Sequence, residues 1–306
     1  MARYSSPLLN PQYALLPVLC LCTAAFCAEL PEGKLLWPAA GLENPIRYDV
    51  KETVKPNRAS SASPSGSNRV FSFVAAPTYS VHQAPKAQAT GVGLVICPGG
   101  GYRDVWLDRE GHDFALWLKG KGITSLVLKY RTNSGGQGED RKYPWDVYLP
   151  AVFADARQAI RILRSQAAEL NLDPNKIGIC GFSAGGNLAF NTVFRPEATG
   201  GTNRISGEAN FAGLFYPWLR EEFGEMVAKT RPLPPLFVMN AIDDTLTPVG
   251  RCVDFSQTVL KAGGKVELHL FAKGGHGFDM GDGRGESAVL WKESFVAWLK
   301  DSGFIL

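Results

Sequence analysis

"KIGICGFSAGGNLAF", running from Lys176 to Phe190, is the stretch on which the fold turns. Its first half is a continuous apolar run of strand length. Its second half has the small residues and spacing of a helix. Between them Ser183 stands in the pattern Gly-x-Ser-x-Gly, with Gly181 and Gly185 on either side. A strand that turns directly into a helix through a serine lifts the hydroxyl above the end of a sheet, where a nucleophile is accessible. The same five residues also describe a crowded corner with one small polar residue, so the rest of the chain has to decide between the two.

Working outward, strand-like and helix-like segments alternate from Arg69 onward. "RVFSFVA" and "YSVHQA" read as early strands, followed by the apolar run "VGLVICPGG", the helix "HDFALWLKGKG" and the strand "ITSLVLKYR". "AVFADARQAIRILRSQAAEL" is a strongly amphipathic helix with Val152, Ala156, Ile160 and Leu163 on one face. After the Ser183 segment come the strands "ANFAGLFYP" and "PPLFVMNA", the helix "CVDFSQTVLKAG", the strand "KVELHLF" and the helix "ESAVLWKESFVAWLKD". Strands apolar throughout and separated by helices imply an α/β fold, a mostly parallel central sheet with helices on both faces. Ligands in such sheets bind in crevices beyond the carboxyl ends of the strands.

The chain has 306 residues, 45% of them apolar, and a formal net charge of +3 without a basic block. That suits a globular domain with a large core and excludes a nucleic-acid footprint. The start differs in kind. "YALLPVLCLCTAAFCA" follows Arg3 and leads into "ELPEG", the pattern of an export signal over residues 1–28. Residues 29–68 then form an N-terminal segment whose "NRASSASPSGSN" reads as a loose loop, and residues 69–306 the α/β domain. A secreted or periplasmic protein without stable membrane association is the expectation. Without the leader, Cys97, Cys180 and Cys252 remain, too widely spaced for a zinc site and best read as buried thiols.

Three strand ends carry reactive residues: Ser183, the pair Asp243 and Asp244, and His276 within "AKGGHGF". A serine hydroxyl needs an imidazole to accept its proton, and the imidazole needs a carboxylate to fix its tautomer. The order Ser, Asp, His along the chain is the order found when a strand–turn–helix presents the serine. A fourth strand end carries "CPGGGY", Cys97 to Tyr102, whose glycines let main-chain N–H groups face an oxyanion alongside that of Ala184. Gly99, Gly100 and Gly101 are the candidates, and spacing does not choose among them. His82, His112 and His269 have no metal-ligand spacing and read as surface or strand-face residues. Tyr102, Trp106, Trp145 and Trp218 lie near strand ends, with packing as the plain reading and sugar stacking as the functional one. Glu110 reads as orienting Tyr102 or favouring a helix start, outside the catalytic set.

"PGGGY", "DREG", "LVLKYR", "DPNKIGICGFSAGGNLA", "DDTLTP" and "GGHGF" together resemble the secreted α/β-hydrolase esterases that include acetylxylan esterases, from about Ile46 onward. The resemblance implies the α/β-hydrolase fold and hydrolysis through an acyl-enzyme without a cofactor or metal. It assigns Ser183 as nucleophile, His276 as base and acid, and Asp244 rather than Asp243 as the acid member. The oxyanion donors become Gly99, Gly100 and Ala184, with Tyr102 and Trp218 as substrate contacts. Related esterases often have histidine where this chain has Pro98, and proline where it has Thr245. The expected substrate is an acylated, chiefly acetylated, plant polysaccharide or oligosaccharide. A general carboxylesterase, feruloyl esterase or lipase is the alternative, and an inactive carbohydrate-binding hydrolase fold the reading from another class.

Overall fold

The computed structural model describes residues 30–38, 44–56, 63–135, 142–195, 205–220, 222–230 and 232–306. The leader expected over residues 1–28 lies outside the described residues. Among the described residues eleven strands and six α-helices follow one another: β1 (Lys34–Leu35), β2 (Thr53–Pro56), β3 (Arg69–Ser72), β4 (Thr78–His82), β5 (Gly93–Cys97), β6 (Asp104–Trp106), α1 (Asp113–Lys119), β7 (Thr124–Lys129), α2 (Trp145–Ser165), β8 (Ile177–Phe182), α3 (Ala184–Phe194), β9 (Ala212–Phe215), α4 (Phe223–Lys229), β10 (Leu236–Ala241), α5 (Val249–Lys261), β11 (Val266–Phe271) and α6 (Trp291–Asp301).

Eight strands form one sheet in the order β1-β4-β7-β5-β8-β9-β10-β11. From β7 to β11 every pairing is parallel, while β4 and β1 add on antiparallel at one edge. The chain winds one way from β5 to β7 and the other way from β5 to β8, so strand order reverses at β5. The loops after β5 and β8 therefore open the crevice in which such sheets bind ligands. β5, β8, β9 and β10 are buried along their whole length, which is why their sequences are apolar on both faces.

Aromatic side chains seal the two layers. Phe114 of α1 packs against Trp291 and Phe295 of α6 and against Phe182 and Phe215 of the sheet. On the opposite face Phe190 and Phe194 of α3 meet Phe255 of α5, with Phe223 of α4 joining them. Cys97, Cys180 and Cys252 are free and buried in this core.

Several elements depart from expectation. The strand at Arg69 belongs to a separate three-stranded antiparallel sheet with β2 and β6, because it pairs with the short strand that follows the glycine loop. Helix α2 begins at Trp145 and carries Pro150 inside it, a position that gives up one hydrogen bond to the Asp146 carbonyl without ending the helix. The serine-rich loop is anchored where it is described: Ser63 Oγ and the Ser65 N–H donate to the buried Asp113 carboxylate at 2.8 and 3.0 Å. His82 and His112 are neither on the surface nor isolated. Both are buried, and their rings share a hydrogen bond of 2.8 Å from Nε2 to Nδ1.

Candidate active site

Ser183 follows β8 and caps α3 with φ +51° and ψ −116°. A non-glycine residue there carries about 1–3 kcal/mol of backbone strain, held in place by its surroundings. Its N–H donates to Phe215 O at 2.9 Å, and its carbonyl accepts from Asn187 N and Trp218 N at 3.1 and 3.0 Å. The flanking glycines are steric necessities. A Cβ on Gly181 would sit 2.0 Å from Gly185 O, and one on Gly185 would sit 2.0 Å from Cys97 O.

His276 lies in the loop after β11, between Gly275 and Gly277, both at positive φ. Arg284 grips this loop by donating from Nε to Gly274 O at 3.1 Å and from Nη2 to His276 O at 2.7 Å. His276 Nε2 is 2.8 Å from Ser183 Oγ, and Nδ1 is 2.8 Å from Asp244 Oδ2. The hydroxyl, imidazole and carboxylate thus form a continuous line from three strand ends.

The two aspartates divide sharply. Asp244 is buried after β10, whereas Asp243 is exposed and accepts the Gly275 N–H at 2.7 Å. Asp244 Oδ1 accepts from Leu246 N and Thr247 N at 2.8 and 2.9 Å, and Oδ2 accepts from Thr247 Oγ1 at 2.6 Å. Burial opposes ionisation of Asp244, but the hydrogen bonds from His276 and Thr247 outweigh it and hold the carboxyl below its usual range. An ionised Asp244 accepts the Nδ1 proton, leaving Nε2 as the acceptor facing Ser183. Thr245 is exposed and away from this arrangement. Thr247, which the sequence did not single out, supplies the support.

The glycine loop corrects the oxyanion assignment. The Gly99 N–H is committed to Glu110 Oε2 at 2.6 Å, so it does not serve an oxyanion. The next peptide is set by the Trp106 N–H, which donates to Gly99 O at 3.1 Å. Because C=O and N–H point oppositely across a trans peptide, this bond turns the Gly100 N–H the other way. Gly100 itself has φ +127°, a value that L side chains rarely adopt. Ala184, at the first position of α3, has a main-chain N–H without an intrahelical acceptor. Gly100 and Ala184 are therefore the donors to consider. Pro98 leaves no side chain to brace the loop, and Tyr130 Oη does so instead by donating to Pro98 O at 2.7 Å.

Tyr102 also needs correction as a substrate contact. It is 1% exposed, its hydroxyl donates to Asn187 Oδ1 at 2.8 Å, and its ring packs among Tyr130, Trp145, Tyr148 and Trp218. A residue so enclosed shapes the wall without touching solvent. Trp218 is only half-buried, its main chain bonded to Ser183, with Arg220 stacked over its ring. Glu110 does not orient Tyr102. It is 4% exposed, accepts the Tyr216 hydroxyl at 2.7 Å on Oε1, and is pushed up to about 7 by burial against the opposing pull of Tyr216 and Gly99. Among the described residues no group of three or more His, Cys, Asp or Glu could hold a metal ion.

Residues 146–231 match a family described as having the α/β-hydrolase fold. The acetylxylan esterase of Xylanibacter ruminicola is 30% identical over 214 residues, 63% of this chain and 42% of that protein. Endo-1,4-beta-xylanase B of Butyrivibrio fibrisolvens is 23% identical over 60% of this chain and 32% of its own length. The chain thus spans less than half the length of either. Among solved structures, the acetyl ester-xyloside bifunctional hydrolase of Caldicellulosiruptor lactoaceticus superposes with a TM-score of 0.66 and 26% identity, covering 90% of this chain and 98% of that one. Butyrate-bound esterase Est2 of Thermogutta terrifontis superposes with a TM-score of 0.59 and 26% identity, covering 75% and 91%. With its sheet order, its serine turn and these likenesses, the chain has the α/β-hydrolase fold and is related to acetylxylan esterase.

Proposed function

We propose that the protein is a serine esterase that removes short acyl groups, chiefly acetyl, from plant polysaccharide or its oligosaccharides. The observation that carries the reading is the line Ser183 Oγ–His276 Nε2 and His276 Nδ1–Asp244 Oδ2, both links 2.8 Å, at the end of β8. Ser183 attacks the ester carbonyl as His276 Nε2 takes its proton, and the N–H groups of Gly100 and Ala184 receive the developing oxyanion. His276 returns that proton to the departing sugar oxygen. A water then attacks the acyl-enzyme by the same route, releasing acetate and restoring Ser183.

The carbohydrate part of the reading rests on relatives named as an acetylxylan esterase, a xylanase and an acetyl ester-xyloside hydrolase. The butyrate- and propionate-bound forms of the Thermogutta esterase favour a broader short-chain carboxylesterase as the second reading. In the proposal the chain is exported through its apolar leader and acts outside the cytoplasm on acylated carbohydrate. No helix among the described residues is long and apolar enough to cross a membrane.

Acetate release from acetylated xylan, set beside p-nitrophenyl esters of increasing acyl length, tests both readings. Release from xylan with a sharp fall beyond propionate is expected. Faster turnover of butyryl and longer esters with none on xylan would favour the carboxylesterase. Ser183→Ala should lose at least ~10⁴-fold in kcat while keeping its circular dichroism spectrum. Undiminished turnover in that variant would overturn the mechanism.

A further inference from the structure

Glu110 is a buried carboxyl that touches both halves of the site without belonging to the triad. Its Oε2 holds the Gly99 N–H at 2.6 Å, and its Oε1 accepts the Tyr216 hydroxyl at 2.7 Å. Tyr216 follows β9 at φ +36°, sets its ring edge-on to His276 at 5.3 Å, and accepts the Asp279 N–H on its hydroxyl oxygen at 3.1 Å. Asp279 shares the loop of His276 and pairs with Arg109, the residue before Glu110, at 2.6 Å. One carboxyl thus joins the glycine loop after β5 to the histidine loop after β11.

We infer that ionised Glu110 is a positioning residue that sets the oxyanion loop and the His276 loop for catalysis, and that its protonation disarms the site while leaving the triad intact. The inference rests on the esterase reading above and concerns its control. Both Glu110 oxygens act as acceptors in this arrangement, so the carboxylate is the form that fits it. The Gly99 N–H cannot reverse, so an added proton must go to Oε1 and donate toward Tyr216. The Tyr216 hydroxyl must then turn away, although its oxygen already accepts from Asp279. The link between the two loops then reverses and weakens from a charge-assisted hydrogen bond to a neutral one. Glu110 Oε2 then becomes a neutral acceptor, so its hold on the Gly99 N–H, beside the peptide that orients the Gly100 N–H, weakens as well.

Burial places the Glu110 transition near neutrality, at about 7. The groups facing it are Tyr216 and the Gly99 N–H, which favour the charged form by hydrogen bonding, His276, which also favours it, and Asp279, which opposes it. Tyr130, at the end of β7, is buried and neutral. Turnover should therefore rise with pH as Glu110 ionises.

Glu110→Gln has nearly the same shape as the protonated acid and should behave as a chain fixed in that state. With p-nitrophenyl acetate its kcat should fall ~10- to 100-fold with little change in KM. The ionisation of Glu110 should be missing from its kcat profile, whose acid limb should rise less steeply than the parent's. Tyr216→Phe keeps the carboxylate but removes a donor that favours the charged form, so its acid limb should move to higher pH. A Glu110→Gln profile whose acid limb is as steep as the parent's, whether or not scaled down, overturns the inference, as does an unmoved limb in Tyr216→Phe if Glu110→Gln does not fold. A parent chain that turns over no ester overturns the esterase reading instead. In that case the infrared carboxyl band of protonated Glu110 decides separately. It should appear as pH falls through neutrality, shift upward in pH in Tyr216→Phe and vanish in Glu110→Gln, and its absence from the parent would sink the idea.

Discussion

Asp243 and Asp244 are neighbours in sequence, yet only one of them faces the imidazole. Both lie past the end of β10 in a turn closed by the Asp244 N–H donating to Ala241 O at 3.1 Å, which brings Asp244 in toward His276 and leaves Asp243 outside to tie down Gly275. Asp244→Asn should lower kcat by up to ~10⁴-fold, because an amide that donates to Nδ1 enforces the wrong tautomer. Asp243→Asn should cost far less, since Gly275 N–H can still donate to an amide oxygen. Steady-state kinetics on the two variants check the contrast, and equal losses would contradict the assigned geometry. Thr247→Val should fall between them, while Thr247→Ser should retain most activity, because the support comes from Oγ1 donating to Asp244 at 2.6 Å. The same scale explains the arrangement at Gly99. An amide already held by Glu110 cannot serve an oxyanion, and the duty passes to the residue beyond it.

Among the elements, α2 shows how a helix is docked beside the site. Asp155 on α2 is buried and accepts from Arg131 Nε and Nη2 at 2.9 and 2.6 Å and from Trp37 Nε1 at 2.8 Å. Arg131 stands just past β7, next to the Tyr130 whose hydroxyl braces Pro98 in the glycine loop. Asp155→Ala would leave a buried guanidinium without its counter-charge and should destabilise the fold by about 3–5 kcal/mol. The double variant Asp155→Leu with Arg131→Met should recover much of that loss, because an apolar pair avoids the stranded charge. Urea unfolding measures both, and a double variant no more stable than Asp155→Ala would count against this account. The turn from β8 to α3 is a second such joint. Its strain at Ser183 is sustained by the main-chain bonds to Phe215, Asn187 and Trp218 rather than by the serine side chain, so removing the hydroxyl in Ser183→Ala leaves the joint standing.

For the molecule as a whole, buried titratable groups set opposite slopes of stability against pH. Glu110 is raised by burial to about 7 from 4.5. Between those values the folded chain keeps a proton that the unfolded chain releases, so stability falls as pH rises, by roughly 3 kcal/mol at most. His82 and His112 are lowered by burial to about 3 and about 4 from 6.5. Below 6.5 the unfolded chain takes protons that this buried pair refuses, so stability falls as pH drops. Glu110→Gln should therefore gain stability relative to the parent as pH rises from 5 to 8. Urea unfolding at several pH values tests this, and a constant difference between the two chains would contradict it. The direction also bears on function, since the ionised Glu110 that the site requires is the form that costs the fold stability.

The alternation of apolar runs and amphipathic helices, the strand–serine–helix turn and the chain order Ser183, Asp244, His276 were all determined by the sequence itself. Each is a local pattern: a period of two or 3.6, or a glycine that a close approach demands. The amphipathic period of α2 is legible from Ala151, whereas the helix starts at Trp145 and runs through Pro150. Tertiary structure alone decided the rest. It assigned β3 to a second sheet, gave the Gly99 amide to Glu110, buried Tyr102, and paired His82 with His112. It also joined Glu110 to Tyr216, which lies 106 residues away. Those outcomes depend on partners brought together by a sheet whose strand order is not its sequence order. A hydrogen bond between distant residues leaves no periodic trace in the chain.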